Sequence, residues 1–185
     1  GLWLIQESRR QWIREGKEYS FGHLEQMAAD AKPFKALIDP DAPEFVPAGN
    51  IPERIRRYCR ESGQRVPENE AEIVRCIDES LAFKYRMTLE EIKMCTGREY
   101  PAIHMVGGGT QSGLLCQMTA NACHCPVIAG PVEATVLGNA AVQLLAAGEL
   151  RDLDQVRSVA GASAKVSIYE PKDTDQWEQV YGQYK

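Results

Sequence analysis

The stretch IHMVGGGTQSGLLCQMTANA, residues 103–122, decides how the chain is to be read. Three apolar-leaning residues run into three consecutive glycines, and a helical pattern restarts at once. One turn residue would reverse the chain, so three glycines ask for another reason. Glycine reaches positive φ without strain and lets a second molecule approach the backbone. A strand, a glycine turn and a helix N-terminus together leave unpaired N–H groups facing one spot, an arrangement that suits a phosphate or a nucleotide.

Two nucleotide motifs can be compared with this turn. A dinucleotide fingerprint needs G-x-G-x-x-G; Gly107 and Gly109 fit, but Ser112 stands where the last glycine belongs. A P-loop needs Gly-Lys-Ser/Thr, and no lysine is near. Close helix–strand packing would also account for glycines here. The segment downstream favours a ligand: PVIAG at 126–130 reads as a second buried strand ending in Gly130-Pro131. A helix of small and apolar residues then spans 133–148. Two strand ends and two helix N-termini would converge on one crevice. Because that second helix is apolar or small nearly all round, it is expected to be buried.

Outward from this centre, helices dominate. Leu2, Ile5, Trp12 and Ile13 share one face of a helix over 2–15 that Gly16 stops. Ser20 caps a short helix carrying Phe21, Leu24 and Met27. Five prolines between Pro33 and Pro52 mark an extended surface loop, and Pro52 opens a helix ending near Gly63. The arginines of that helix, Arg54, Arg56, Arg57 and Arg60, read as a solvated face diluted by Glu53 and Glu61. The longest helical pattern runs over 68–94, with a possible break at the Thr88/Glu91 capping box. Residues 165–171 alternate like a strand, and an amphipathic tail with Trp177, Val180 and Tyr181 closes the chain.

The remaining chemistry is sparse. Six cysteines, with Cys116, Cys123 and Cys125 flanking His124, lack the spacing of a zinc site, and packing as small hydrophobes is expected of them. The pairs Asp78/Glu79 and Glu90/Glu91 read as solvated helix surface, and no hydrolase triad surrounds the three histidines. A formal charge of −5 argues against a nucleic-acid partner. No apolar run reaches the roughly 18 residues that span a bilayer, and no basic leader opens the chain. A cytoplasmic protein, independent of membranes, is expected.

The run HMVGGGTQSGLLCQMTANACHCPVIAGPVEATVLGNAAVQ, residues 104–143, resembles the adenosine-binding end of the FGGY carbohydrate kinases. Within that family VIAGPVEATVLGN, residues 127–139, is most similar to the rhamnulose-phosphorylating branch, and counterparts of residues 1–12, 51–85 and 166–171 occur there in order. The resemblance implies an α/β chain that is the helix-rich part of an actin-like ATPase domain with a ribonuclease-H-like core. Residues 1–185 would be the C-terminal nucleotide-binding domain of a sugar kinase, shortened on its N-terminal side. It implies ATP and Mg2+ as cofactors, a ketose (L-rhamnulose, or alternatively fuculose or xylulose) as substrate, and the N-terminal kinase domain of the same protein as partner. Gly107, Gly108 and Gly109 would bring backbone against adenosine and the α-phosphate. Ser112 falls where relatives commonly place asparagine, and Glu133 and Thr135 would shape the pocket. The catalytic base would be an aspartate preceding Gly1, so the chain alone would transfer no phosphoryl group. A nucleotide-binding module without catalysis and a Rossmann-type dehydrogenase domain are the competing classes.

Overall fold

A computed structural model describes residues 1–163 and 165–184. Helix α1 (Trp3–Arg14) ends at Gly16, whose φ of 81° only glycine adopts easily. Helix α2 (Phe21–Asp30) starts at Ser20, whose side chain accepts the His23 N–H, as its sequence position predicts. Asn50 caps helix α3 (Ile51–Glu61) in the same manner, through the Glu53 N–H. In the loop before α3, Arg54 donates to the carbonyls of Glu44, Pro47 and Ala48 and so shapes it from inside. The neighbouring arginines behave as expected on a solvated face, with Arg60 and Arg56 paired to Glu53 and Arg57 to Glu61.

Helix α4 (Glu70–Thr96) is the spine. It passes Thr88 without a break, because the Thr88 hydroxyl donates to the Lys84 carbonyl and leaves no free N-terminus to cap. From Ile73 to Phe83 every residue except Arg75 is buried. Helices α1, α2 and α3 pack against this segment from one side, and helix α5 (Gly113–Cys123) lies along the other.

Strands β1 (Ile103–Met105) and β2 (Val127–Ala129) are parallel, with Ile103 opposite Val127. Strand β3 (Ser167–Tyr169) completes the sheet antiparallel to β2, in the order β1-β2-β3. Val127 and Ala129 face α5 through Cys116 and Ala120.

Helix α6 (Ala134–Ala146) differs from expectation: it buries no residue, and Val136, Val142 and Leu144 are exposed. The apolar surface that led to a buried assignment is present, but no described element of this chain covers it. Helix α7 (Leu153–Ser163) has no counterpart in the sequence reading, although Leu153, Val156 and Val159 recur at steps of three and Asp152 accepts the Gln155 N–H at its start.

Helix α8 (Thr174–Tyr184) returns to the spine through Trp177 and Tyr181. Phe83 stacks with Tyr181 and Tyr184, and Trp177 meets Phe34 edge-on at 4.8 Å between centroids. Truncating a buried aromatic removes its transfer energy and leaves a cavity. Trp177→Ala should therefore destabilise the domain by about 3–5 kcal/mol in a urea titration.

Candidate nucleotide site at the glycine turn

The turn after β1 explains its glycines one at a time. Gly107 has φ 81°, and its N–H donates to the Pro131 carbonyl at 3.0 Å, while the Gly130 N–H donates to Met105 O at 2.8 Å. The two strand ends are thereby tied together, as the sequence suggested. A Cβ on Gly109 would stand 3.3 Å from the Leu2 side chain, so Gly109 is small because α1 lies against it. A Cβ on Gly108 would meet nothing within 4 Å. That glycine borders open space.

The open space is a cavity of about 500 Å³. Gly108, Gly109 and Ser112 line one side, Leu2, Ile5 and Leu24 supply much of its apolar wall, and Phe21 stands exposed with Arg9 over its ring. An apolar slot with a few polar groups is the ordinary form of a small-molecule site.

The N-terminus of α5 is not as bare as the sequence implies. Ser112 caps it by accepting the Leu115 N–H at 3.2 Å. Glu25, reaching over from α2, accepts the Leu114 N–H at 2.7 Å and the Ser112 hydroxyl at 3.4 Å. A carboxylate of the chain itself occupies the place that a phosphate was expected to take. Three of the four residues singled out in the sequence, Gly108, Gly109 and Ser112, line the cavity directly, and Gly107 sets the turn. Glu133 and Thr135 are not among its lining residues.

Sequence reasoning missed three acids here. Glu25 gave no signal, because nothing local marks a residue that caps a distant helix. Asp78 and Glu79 were read as solvated, and both are only 1% exposed. Helical periodicity assigns polar residues to a solvent face, and this part of α4 has none. Glu79 is compensated: Arg75 bonds it at 2.7 Å and the Phe34 N–H donates to it at 2.9 Å. Burial still pushes its carboxyl up to about 7. Asp78 lines the cavity, and its Oδ1 has no hydrogen-bond partner. Burial first, then the charges of Glu25 and Glu79, push its carboxyl up to about 8 against the opposing Arg75.

The cysteine–histidine cluster has other employment. Cys116 packs against the Met105 sulfur at 3.6 Å, and His124 approaches Glu178 at 3.3 Å while Arg86 bridges to the same carboxylate. Among the described residues, no group of three or more His, Cys, Asp or Glu is arranged to hold a metal ion, and all six cysteines are free. No helix is long and apolar enough to cross a membrane among the described residues.

Comparison with known proteins fits this geometry. Residues 1–147 match the C-terminal domain model of the FGGY family of carbohydrate kinases. The chain belongs to that family. It is 39% identical to a rhamnulokinase of Bacteroides thetaiotaomicron over the whole chain and 37% of that protein. It is 38% identical to a rhamnulokinase of Enterococcus faecalis, over 95% of the chain and 35% of that protein. The chain thus spans little more than a third of the length of these FGGY relatives. Among solved structures, a xylulose kinase from Rhodospirillum rubrum superposes on 98% of the chain with a TM-score of 0.68 at 16% identity, covering 36% of that enzyme. A Plasmodium falciparum glycerol kinase with ADP superposes on 94% with a TM-score of 0.64 at 16% identity, covering 34% of it. The fold is α/β, the helix-rich part of an actin-like ATPase domain, as the sequence led us to expect.

The raised carboxyls carry a pH signature. A carboxyl that keeps its proton in the folded chain and loses it in the unfolded one makes stability fall as pH rises between the two pKa values. For Asp78 that window runs from about 3.8 to about 8, and Glu79 overlaps it from 4.5 to about 7. Each group contributes a loss of about 1.4 kcal/mol per pH unit inside its window and none above it. Denaturant titrations of Asp78→Asn between pH 5 and pH 9 should show roughly half the wild-type slope below pH 7 and almost none above it.

Proposed function

We propose that residues 1–185 form the C-terminal nucleotide-binding domain of a sugar kinase and supply the adenosine side of its cleft. The whole protein would transfer the γ-phosphoryl group of ATP to the C1 hydroxyl of a 2-ketose, L-rhamnulose. The observation that carries the nucleotide part is the cavity beside Gly108, walled by aliphatic side chains and open where a Cβ would stand. Its two acids, Glu25 and Asp78, are unsuited to hold phosphate oxygens but compatible with an uncharged nucleoside. In this orientation the base and ribose enter the cavity. The phosphates leave past Gly107 and Gly108, where backbone alone meets them. A glycerol kinase of like fold was crystallised with ADP, which supports a nucleotide as ligand of the family.

The ketose assignment rests on the rhamnulokinases that match across the chain. Among the described residues, no carboxylate stands free in the cavity as a proton acceptor: Glu25 is occupied by Leu114 and Ser112, and Asp78 is enclosed. The base that takes the hydroxyl proton, and the sugar pocket, are therefore assigned to the rest of the whole protein. Mg2+ is assigned to the phosphates of the nucleotide and not to a cluster on this chain.

Two measurements test these statements. Gly108→Val places its side chain in open space, so the fold should tolerate it while the ligand should not. ADP affinity of the whole protein should fall at least about tenfold, the 1.4 kcal/mol lost when contact is blocked at one edge, with the melting temperature unchanged. Unaltered ADP binding would remove the glycine turn from the site. In an assay coupled to ADP release, the whole protein should turn over L-rhamnulose in preference to fuculose or xylulose, and residues 1–185 alone should turn over none. Another preferred ketose would overturn the substrate assignment, and activity of the isolated chain the division of labour.

A further inference from the structure

Phe21 is the one large apolar side chain of α2 that the chain leaves exposed. Leu24 and Ala28 of the same helix are enclosed in the core, whereas Phe21 is 53% exposed. Single exposed apolar side chains are ordinary on a protein surface, so exposure alone gives Phe21 no role. Its surroundings do. Phe21 lines the cavity beside the glycine turn, and among the described residues it is the only aromatic side chain in that lining. The Arg9 guanidinium lies over one face of the ring, 5.0 Å from its centroid, within the range of a cation–π contact. Arg9 is not among the residues that line the cavity. It therefore covers the face turned away from the cavity, and the opposite face is open towards it.

This placement is fixed from within the chain. Arg9 Nε donates to the Tyr19 carbonyl, two residues before Phe21. Ser20 caps α2 by accepting the His23 N–H, so Phe21 is the first residue of a capped helix. A ring held in this way has little freedom left to lose when a second flat group lies on it, and binding costs least where the site is already ordered. The other walls offer no such surface. Leu2, Ile5 and Leu24 are aliphatic, and Gly108 and Gly109 present backbone. Ribose and phosphate have no π-face to match the ring, whereas every nucleobase has one.

We propose that Phe21 is the platform on which the base of the nucleotide stacks, with its free face turned into the cavity and Arg9 behind it. The proposal rests on the nucleotide reading of the cavity and adds to it the residue that takes the base. Stacking reads no hydrogen-bond pattern, so Phe21 would supply affinity for the base without selecting one purine over another.

The experiment is titration of the whole protein with ADP, followed by calorimetry and by fluorescence, on wild type, Phe21→Ala and Phe21→Trp. Loss of one base–aromatic stack should weaken ADP binding by Phe21→Ala at least about fivefold. The melting temperature should change little, because an exposed side chain leaves no cavity behind. Phe21→Trp restores a π-face and should bind ADP at least as tightly as wild type. Its added indole emission, taken relative to the wild type with Trp3, Trp12 and Trp177 alone, should be quenched as ADP saturates the site. Inorganic phosphate, which has no base, should leave that emission unchanged. Undiminished ADP binding by Phe21→Ala, or indole emission indifferent to bound ADP, would overturn the role of Phe21 while leaving the cavity as the nucleotide site. No ADP binding by the wild type would overturn both readings.

Discussion

Enclosure of α4 between Ile73 and Phe83 is the constraint from which the rest of the domain follows. A helix at the edge of a core has one face for water, and its polar residues go there. Between Ile73 and Phe83 this one has none, since α1, α2 and α3 close one side and α5 the other. Polar residues in that run must be satisfied from neighbouring elements, and those elements are held in place by doing so. Glu79 fixes the backbone at Phe34, and Ser80 accepts the Ile38 N–H at 3.0 Å and donates to Cys76 O. The proline-rich loop is therefore pinned at two points by the polar side chains of the spine. Phe34 is held at φ 52°, a conformation disfavoured for a bulky residue, in contact with Trp177 and Phe83. Docking of α8 on the spine depends in turn on that placement.

Most elements were legible in the sequence because their signals are local. Ser20 and Pro52 announce helix starts through their own chemistry. The strand–glycine–helix order survives intact from string to structure. What could not be read depends on distant neighbours. The burial of Asp78 and Glu79 follows from helices packing where a solvent face was assumed. Glu25 caps α5 from 89 residues away. The exposure of α6 fails for the opposite reason: an all-apolar helix signals a need for cover, and sequence alone cannot say which chain provides it. Helix α7 is the exception, since its cap at Asp152 and its apolar spacing are local signals that went unread. The family resemblance reached further than any of these signals, since it rests on the whole run from His104 to Gln143.

The three glycines show how one motif can hold three constraints. Gly107 is needed for its backbone angle, Gly109 for the closeness of Leu2, and Gly108 for nothing inside the chain. Only the second and third bear on the cavity, and only the third is free of a structural explanation. Open space beside a glycine is common in this chain, and what singles out Gly108 is that its open side is the cavity.

In the proposed site, charge would select which end of a nucleotide enters the cavity. Phosphate oxygens near Glu25 would meet a carboxylate that already takes the N–H groups a phosphate would seek, at the N-terminus of α5. The repulsion between like charges a few ångströms apart amounts to about 4 kcal/mol at the effective dielectric of a protein surface. The base and ribose carry no charge and meet no such barrier, and the aliphatic wall favours the flat ring. So the acid that satisfies α5 would also orient a nucleotide in the proposed site. Removing it would act on both: Glu25→Gln keeps an acceptor for Leu114 while abolishing the charge, so α5 should stay capped. Inorganic phosphate should then compete with nucleotide more strongly in Glu25→Gln than in wild type, read as a lower inhibition constant in an ADP-displacement titration. Equal competition in both proteins would mean that shape, and not charge, sets the orientation.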